Sequence, residues 1–128
     1  MSGIRHILTI LAVDDLGRAA AFYRAAFGWT TSVDVPVYVE FELPGGQRLG
    51  VYRRDAFVRN TAAAVAPRPA HGTTATEVYL HCDDLDAAIA AIEAAGAPCL
   101  SPRALRDWGD EAAYYADPDG NVLVLASP

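Results

Sequence analysis

The chain has 128 residues, 52% of them apolar and 20% charged, which is enough for one compact domain with a core and excludes a disordered class. Its net charge of −6 excludes non-specific nucleic-acid binding and suits a cationic small ligand. The two cysteines, Cys82 and Cys99, cannot make a disulfide framework, and no run is long enough to span a membrane, so a cytoplasmic protein in a reducing compartment is expected.

In chain order, Ile7–Val13 is a continuous apolar run and reads as a buried strand. Asp14-Asp15 offers an N-cap, and Leu16–Phe27 reads as a helix with Leu16, Ala19, Tyr23 and Ala26 on one stripe and Gly28 at its end. Thr30–Val35 is a strand ended by Pro36. Val37–Leu43 alternates, with Val39 and Phe41 on one face and Tyr38, Glu40 and Glu42 on the other. Pro44-Gly45-Gly46 turns the chain into a further strand, Gln47–Tyr52.

Residues 53–75 have weak patterning, two prolines and many alanines. They read as a linker with a short helical turn near Thr61–Val65. Thr76–Cys82 is again a strand. Leu85, Ile89 and Ile92 make a helical stripe closed by Gly96, Pro98–Leu100 begins a strand, and residues 105–111 are a loop holding Trp108-Gly109. The last hairpin, Glu111–Ala126, turns through Asp117-Pro118-Asp119-Gly120-Asn121, where proline presets φ and glycine accepts a positive φ.

That hairpin repeats the earlier one. Pro44 falls on Pro118, Gly46 on Gly120, Leu49 on Leu123 and Val51 on Leu125. The fold class expected is therefore α+β. Two tandem βαβββ modules, about residues 4–53 and 76–127, are joined by a linker of about residues 54–75 within one domain spanning residues 1–128.

The pieces Val13-Asp14-Asp15-Leu16, Phe22-Tyr23, Phe27-Gly28, Asp83-Asp84-Leu85, Trp108-Gly109-Asp110 and Asp117–Asn121 resemble the vicinal oxygen chelate superfamily. That superfamily includes glyoxalases, bleomycin-resistance proteins and extradiol dioxygenases. The resemblance is strongest to a metal-free member of the bleomycin-resistance type. It implies a curved eight-stranded cup with helices outside, and a homodimer in which modules of two chains can complete one cup. It also implies four His, Gln or Glu ligands in metal-dependent members. Carried over, those positions fall on Leu8, Gly50, Glu77 and Val124. Three of the four have no side-chain donor, so no metal and no cofactor is expected. A two-residue shift would bring in His6 but would leave Gly50 and Val124 unsuitable.

The same positions mark the inward face of the cup. Leu8, Ile10, Val122 and Val124 form an apolar wall, and Tyr38, Glu40, Glu77, Tyr79, His81 and Tyr114 a polar, aromatic one. Other readings stand beside these. Glu77 is also read as a solvated residue at the start of its strand, and His81 as a histidine charge-paired with Asp83 and Asp84. Trp108 is a lid or a dimer contact. Tyr52 and Phe57 cover the cup or anchor the linker.

Two functions compete. One is metal-independent binding or sequestration of a small aromatic or cationic compound, such as an antibiotic. The other is a lyase, isomerase or dioxygenase of the same superfamily, using Glu77 or His81 as general base or a non-standard metal site. A structural subunit with an unused cup is a third. Neither a nucleic-acid nor a membrane partner is expected.

Overall fold

The structure, a computed structural model, describes residues 3–128. Among the described residues, eight strands fall into two hydrogen-bonded sheets of four. The chain divides into two units. One holds residues up to Ala20 together with Trp29–Ala66, and the other holds Ala21–Gly28 together with Pro67–Pro128.

In the first unit, β1 (Leu8–Val13), β2 (Thr30–Val35), β3 (Tyr38–Glu42) and β4 (Arg48–Arg53) lie in the order β1-β4-β3-β2. β1 runs parallel to β4 and the other pairs are antiparallel. Period-two burial divides the sheet. Leu11, Val13, Val39, Phe41, Leu49 and Val51 are buried on one face. Leu8, Ile10, Ala12, Tyr38, Glu40, Arg48, Gly50 and Tyr52 alternate with them and define the other. Helix α1 (Leu16–Phe27) follows β1 and buries Ala19 and Ala20.

Helix α2 (Arg54–Thr61) follows β4 directly. The helical turn expected at Thr61–Val65 thus lies earlier, at Arg54–Thr61. Ala56 is buried, and Arg54 ion-pairs with Asp14 at 2.6 Å and bonds the Ala66 carbonyl, which ties the helix down. Ala62 stops it by taking a left-handed φ of 53° while its N–H closes on Val58 O.

In the second unit, β5 (Glu77–His81), β6 (Cys99–Leu105), β7 (Glu111–Ala116) and β8 (Val122–Ser127) lie in the matching order β5-β8-β7-β6. Helix α3 (Leu85–Ala94) is capped by Asp84, whose carboxylate accepts from Ala87 N. Tyr115, Leu123 and Leu125 are buried on the face toward α3, and the Tyr115 hydroxyl donates to Glu93 at 2.7 Å. β6 runs on through Pro102, a residue tolerated because this is an edge strand with an irregular register.

The last hairpin is also a packing site. Asp117 is buried in its turn. Its Oδ1 accepts from the Asp119 and Asn121 amides, and its Oδ2 from Asn121 Nδ2 and, at 2.6 Å, from the Tyr23 hydroxyl. Tyr23 is fully buried, and that burial, then the Asp117 charge, raises its pKa well above the ordinary value. The C-terminal turns of α1 thus belong with the second sheet. Among the described residues no helix is long and apolar enough to cross a membrane.

Candidate functional site

On the first sheet, Glu40 is 5% exposed, and a buried carboxylate needs partners. It has three. The Tyr38 hydroxyl donates to Oε1 at 2.6 Å, while Ser32 Oγ and Arg48 Nη1 each donate to Oε2 at 3.0 Å. The Tyr38 bond, with help from Ser32 and Arg48, holds the Glu40 carboxyl below its ordinary pKa against the opposing effect of burial. Burial and the same bond push the Tyr38 phenol up.

This arrangement depends on Gly50, which pairs with Glu40 in the register. A Cβ at position 50 would fall on the Tyr38 hydroxyl and lie 2.7 Å from its Cζ. Glycine leaves the room that the phenol takes. Tyr52 meets Tyr38 edge-on at 5.2 Å and Phe57 at 6.1 Å, and Asn60 donates to its hydroxyl at 3.1 Å. Through these contacts Tyr52 and Phe57 fasten α2 to β4.

On the second sheet, the β6–β7 connection (residues 106–110) folds across the strands to β5. Trp108 Nε1 donates to the Tyr79 hydroxyl at 2.7 Å, and Tyr79 donates to Asp110 Oδ2 at 2.7 Å. His81 Nε2 lies 3.0 Å from the same oxygen. A carboxylate only accepts, so this His81 nitrogen carries a proton. His81 therefore pairs with Asp110 and not with Asp83 or Asp84, the partners expected from sequence; Asp84 is the α3 cap. The bonds from Tyr79 and then His81 lower the Asp110 pKa. Trp108 is 57% and Tyr79 39% exposed, so the aromatic surfaces stay open while their polar edges are fixed.

Tyr114 pairs with Val124, which in turn pairs with Tyr79, placing all three on one row. Val124, Ala112 and Ala126 form a fully buried cluster, with Tyr114 and Val122 packed against it. Val124, expected in the apolar wall, is fully buried. The Arg106 guanidinium lies over the Tyr114 ring, 5.0 Å from its centroid. Glu77 is exposed at the start of β5 opposite Val122.

The predicted residues thus separate by sheet. Tyr38, Glu40, Tyr52 and Phe57 converge on the first, and Tyr79, His81, Trp108 and Tyr114 on the second. Ser32, Arg48 and Asp110 complete these clusters and were not singled out as site residues from sequence. Arg48 carried the inward parity of its strand and Asp110 its place at the end of Trp108-Gly109-Asp110; Ser32 carried no signal. A shallow groove of about 680 Å³ runs beside α2, lined by Asp14, Arg53–Asp55, Val58 and Ala62–Val65. Its charges are paired within it, Arg53 with Asp55 and Arg54 with Asp14, each at 2.6 Å.

The donor set does not fit a metal at the superfamily positions. Leu8, Gly50 and Val124 offer no donor atom, and Tyr38 stands in the space at Gly50. The register also opposes Gly50 to Ile10 and Val124 to Tyr79, so Leu8 and Glu77 are not their direct partners. His6 bonds Thr9 Oγ1 at 2.9 Å. Among the described residues no three His, Cys, Asp or Glu side chains are grouped closely enough to hold an ion.

Residues 3–125 match the model of a family described as the glyoxalase/bleomycin resistance protein/dioxygenase superfamily. Solved structures are similar over nearly the whole chain. A glyoxalase-related enzyme from Fulvimarina pelagi has a TM-score of 0.85 at 23% identity, covering 97% of this chain and 88% of that one. A glyoxalase/bleomycin resistance protein/dioxygenase from Nocardioides has 0.82 at 25%, covering 99% and 85%. Lactoylglutathione lyase from Agrobacterium tumefaciens has 0.73 at 28%, covering 96% and 92%. No curated protein matches the chain.

Proposed function

This chain belongs to the glyoxalase/bleomycin resistance protein/dioxygenase superfamily, and from that premise we propose that it binds a small aromatic molecule without using a metal ion. The observation that carries the reading is the open but immobilised aromatic pair. Trp108 and Tyr79 expose much of their rings while Asp110, itself bonded to His81, holds the Tyr79 hydroxyl in place. Exposed large aromatics fixed by their polar edges lose little entropy on stacking a ligand. The role would be sequestration, as in self-protection against a toxic compound. A cationic ligand is less favoured by the site itself, because Glu40 and Asp110 are already engaged by Arg48 and His81.

A thermal-shift panel of aromatic compounds on wild type and Trp108→Ala tests this. Stabilisation of wild type that the variant loses supports it. A panel with no stabilising compound, or stoichiometric zinc, nickel, iron or manganese in the purified protein, would overturn it.

One observation favours a second reading, an enzyme of the lyase or isomerase type. Asp110 orients the His81 imidazole, the usual arrangement for a general base. Turnover of an aromatic ligand that His81→Gln abolishes without weakening binding would establish it. We also propose a homodimer, since Leu100 and Leu105 leave apolar surface exposed along the β6 edge. Light scattering at the monomer mass would remove that proposal.

A further inference from the structure

Arg106 is a half-buried cation that ion-pairs with no acid among the described residues. Four hydrogen bonds fix its guanidinium: Nε to Ala112 O at 3.2 Å, and Nη2 to Ala112 O, Pro102 O and Ser101 Oγ at 2.9, 2.8 and 3.1 Å. All of these acceptors are neutral. The acids beside it in sequence do not reach it. Asp110 serves Tyr79 and His81, Glu111 pairs with Arg103 at 2.7 Å, and Asp107 forms no ion pair with it. Stapling the β6–β7 connection uses Nε and Nη2 alone.

Nη1 has no hydrogen bond to any described residue, and it is not among the buried unpaired atoms. The Tyr114 hydroxyl is in the same position, on the ring that the guanidinium overlies at 5.0 Å. Two donors, one carrying a full charge, thus lie open on two side chains in contact. A guanidinium presents such donors in a fixed plane that matches a carboxylate.

We propose that Arg106 Nη1 and the Tyr114 hydroxyl receive a carboxylate of the ligand, which makes the ligand class an aromatic carboxylate. This rests on the aromatic-binding reading and deepens it by fixing the sign of the ligand's charge. Tyr79 and Tyr114 flank Val124, so their backbones are about 10 Å apart. A ring stacked at Trp108 and Tyr79 and a carboxylate at Arg106 therefore belong to one small molecule with a short arm.

Calorimetric titration of the full chain with hydrocinnamate, neutral hydrocinnamide and cationic phenylpropylamine tests the proposal. Hydrocinnamate should bind tightest. Arg106→Gln should weaken it about tenfold, to the level of the amide. Tyr114→Phe, which keeps the ring and its packing, should weaken it by a smaller factor and leave the amide unchanged. Equal affinity for the three probes, or preference for the amine, overturns the carboxylate site while leaving aromatic binding intact. An Arg106→Gln variant that loses all three equally, with Tyr114→Phe unaffected, shows the guanidinium to be a loop staple and also overturns it. Failure of all three probes on wild type removes the proposal and, with a silent aromatic panel, the reading beneath it.

Discussion

The Tyr38 phenol occupies the volume that a side chain at Gly50 would need, and it uses that position to reach Glu40. Gly50→Ala should therefore cost about 1–3 kcal/mol, the usual penalty for forcing a packed neighbour aside. In a Tyr38→Ala background the same change should cost much less. A double-mutant cycle by urea unfolding measures the coupling, and equal losses in the two backgrounds would show that the ring is not the obstacle.

Glu40 makes stability depend on acid. Its folded pKa lies below the ordinary value of 4.5, so its contribution is fully present above that value and is lost as pH falls through the lowered one. Tyr38 is the leading cause. Unfolding free energy followed from pH 6 down to pH 3 should fall less steeply in Tyr38→Phe than in wild type. Parallel slopes would remove Tyr38 from that role.

Tyr23 and Asp117 are 94 positions apart and joined at 2.6 Å. Tyr23→Phe removes one charge-assisted bond and should cost about 1–3 kcal/mol. Asp117→Ala strands the Asp119 and Asn121 amides as well and should cost more. Chemical denaturation of both variants checks the order, and a milder Asp117→Ala would contradict the turn geometry.

Among the described residues, the hydrogen bond of the Trp108 indole goes to the Tyr79 hydroxyl. In a Trp29→Phe background, where Trp108 alone emits, Tyr79→Phe should shift its fluorescence to the red and raise its quenching by acrylamide. An unchanged spectrum would mean that the indole is fixed by other contacts.

Much of this architecture was readable in the letters. The Leu16–Phe27 stripe, the doubled Pro-Gly turns and the alternation of Val39 and Phe41 with Tyr38 and Glu40 are local patterns, and each gave its element the correct face. Helix α2 was not readable, because its stop is a left-handed alanine and not a glycine, and its anchor is an arginine bonding Asp14 40 residues back. The clusters were half readable. Parity put Tyr38 with Glu40 and Tyr79 with His81, but Arg48 and Asp110 join them from 8 and 29 residues away through pairings that no local pattern encodes. Gly50 was legible as a missing donor; that a phenol fills its place was not.

The Tyr23–Asp117 bond also sets an order on synthesis. The helix carrying Tyr23 can coil early, but its last turns cannot settle until the turn holding Asp117 has left the ribosome, 94 residues later. Until then a tyrosine that ends fully buried lacks its bond to Asp117. A nascent chain arrested anywhere before that turn would carry this aromatic surface uncovered, a natural handle for a chaperone and a cause of aggregation for any truncated product.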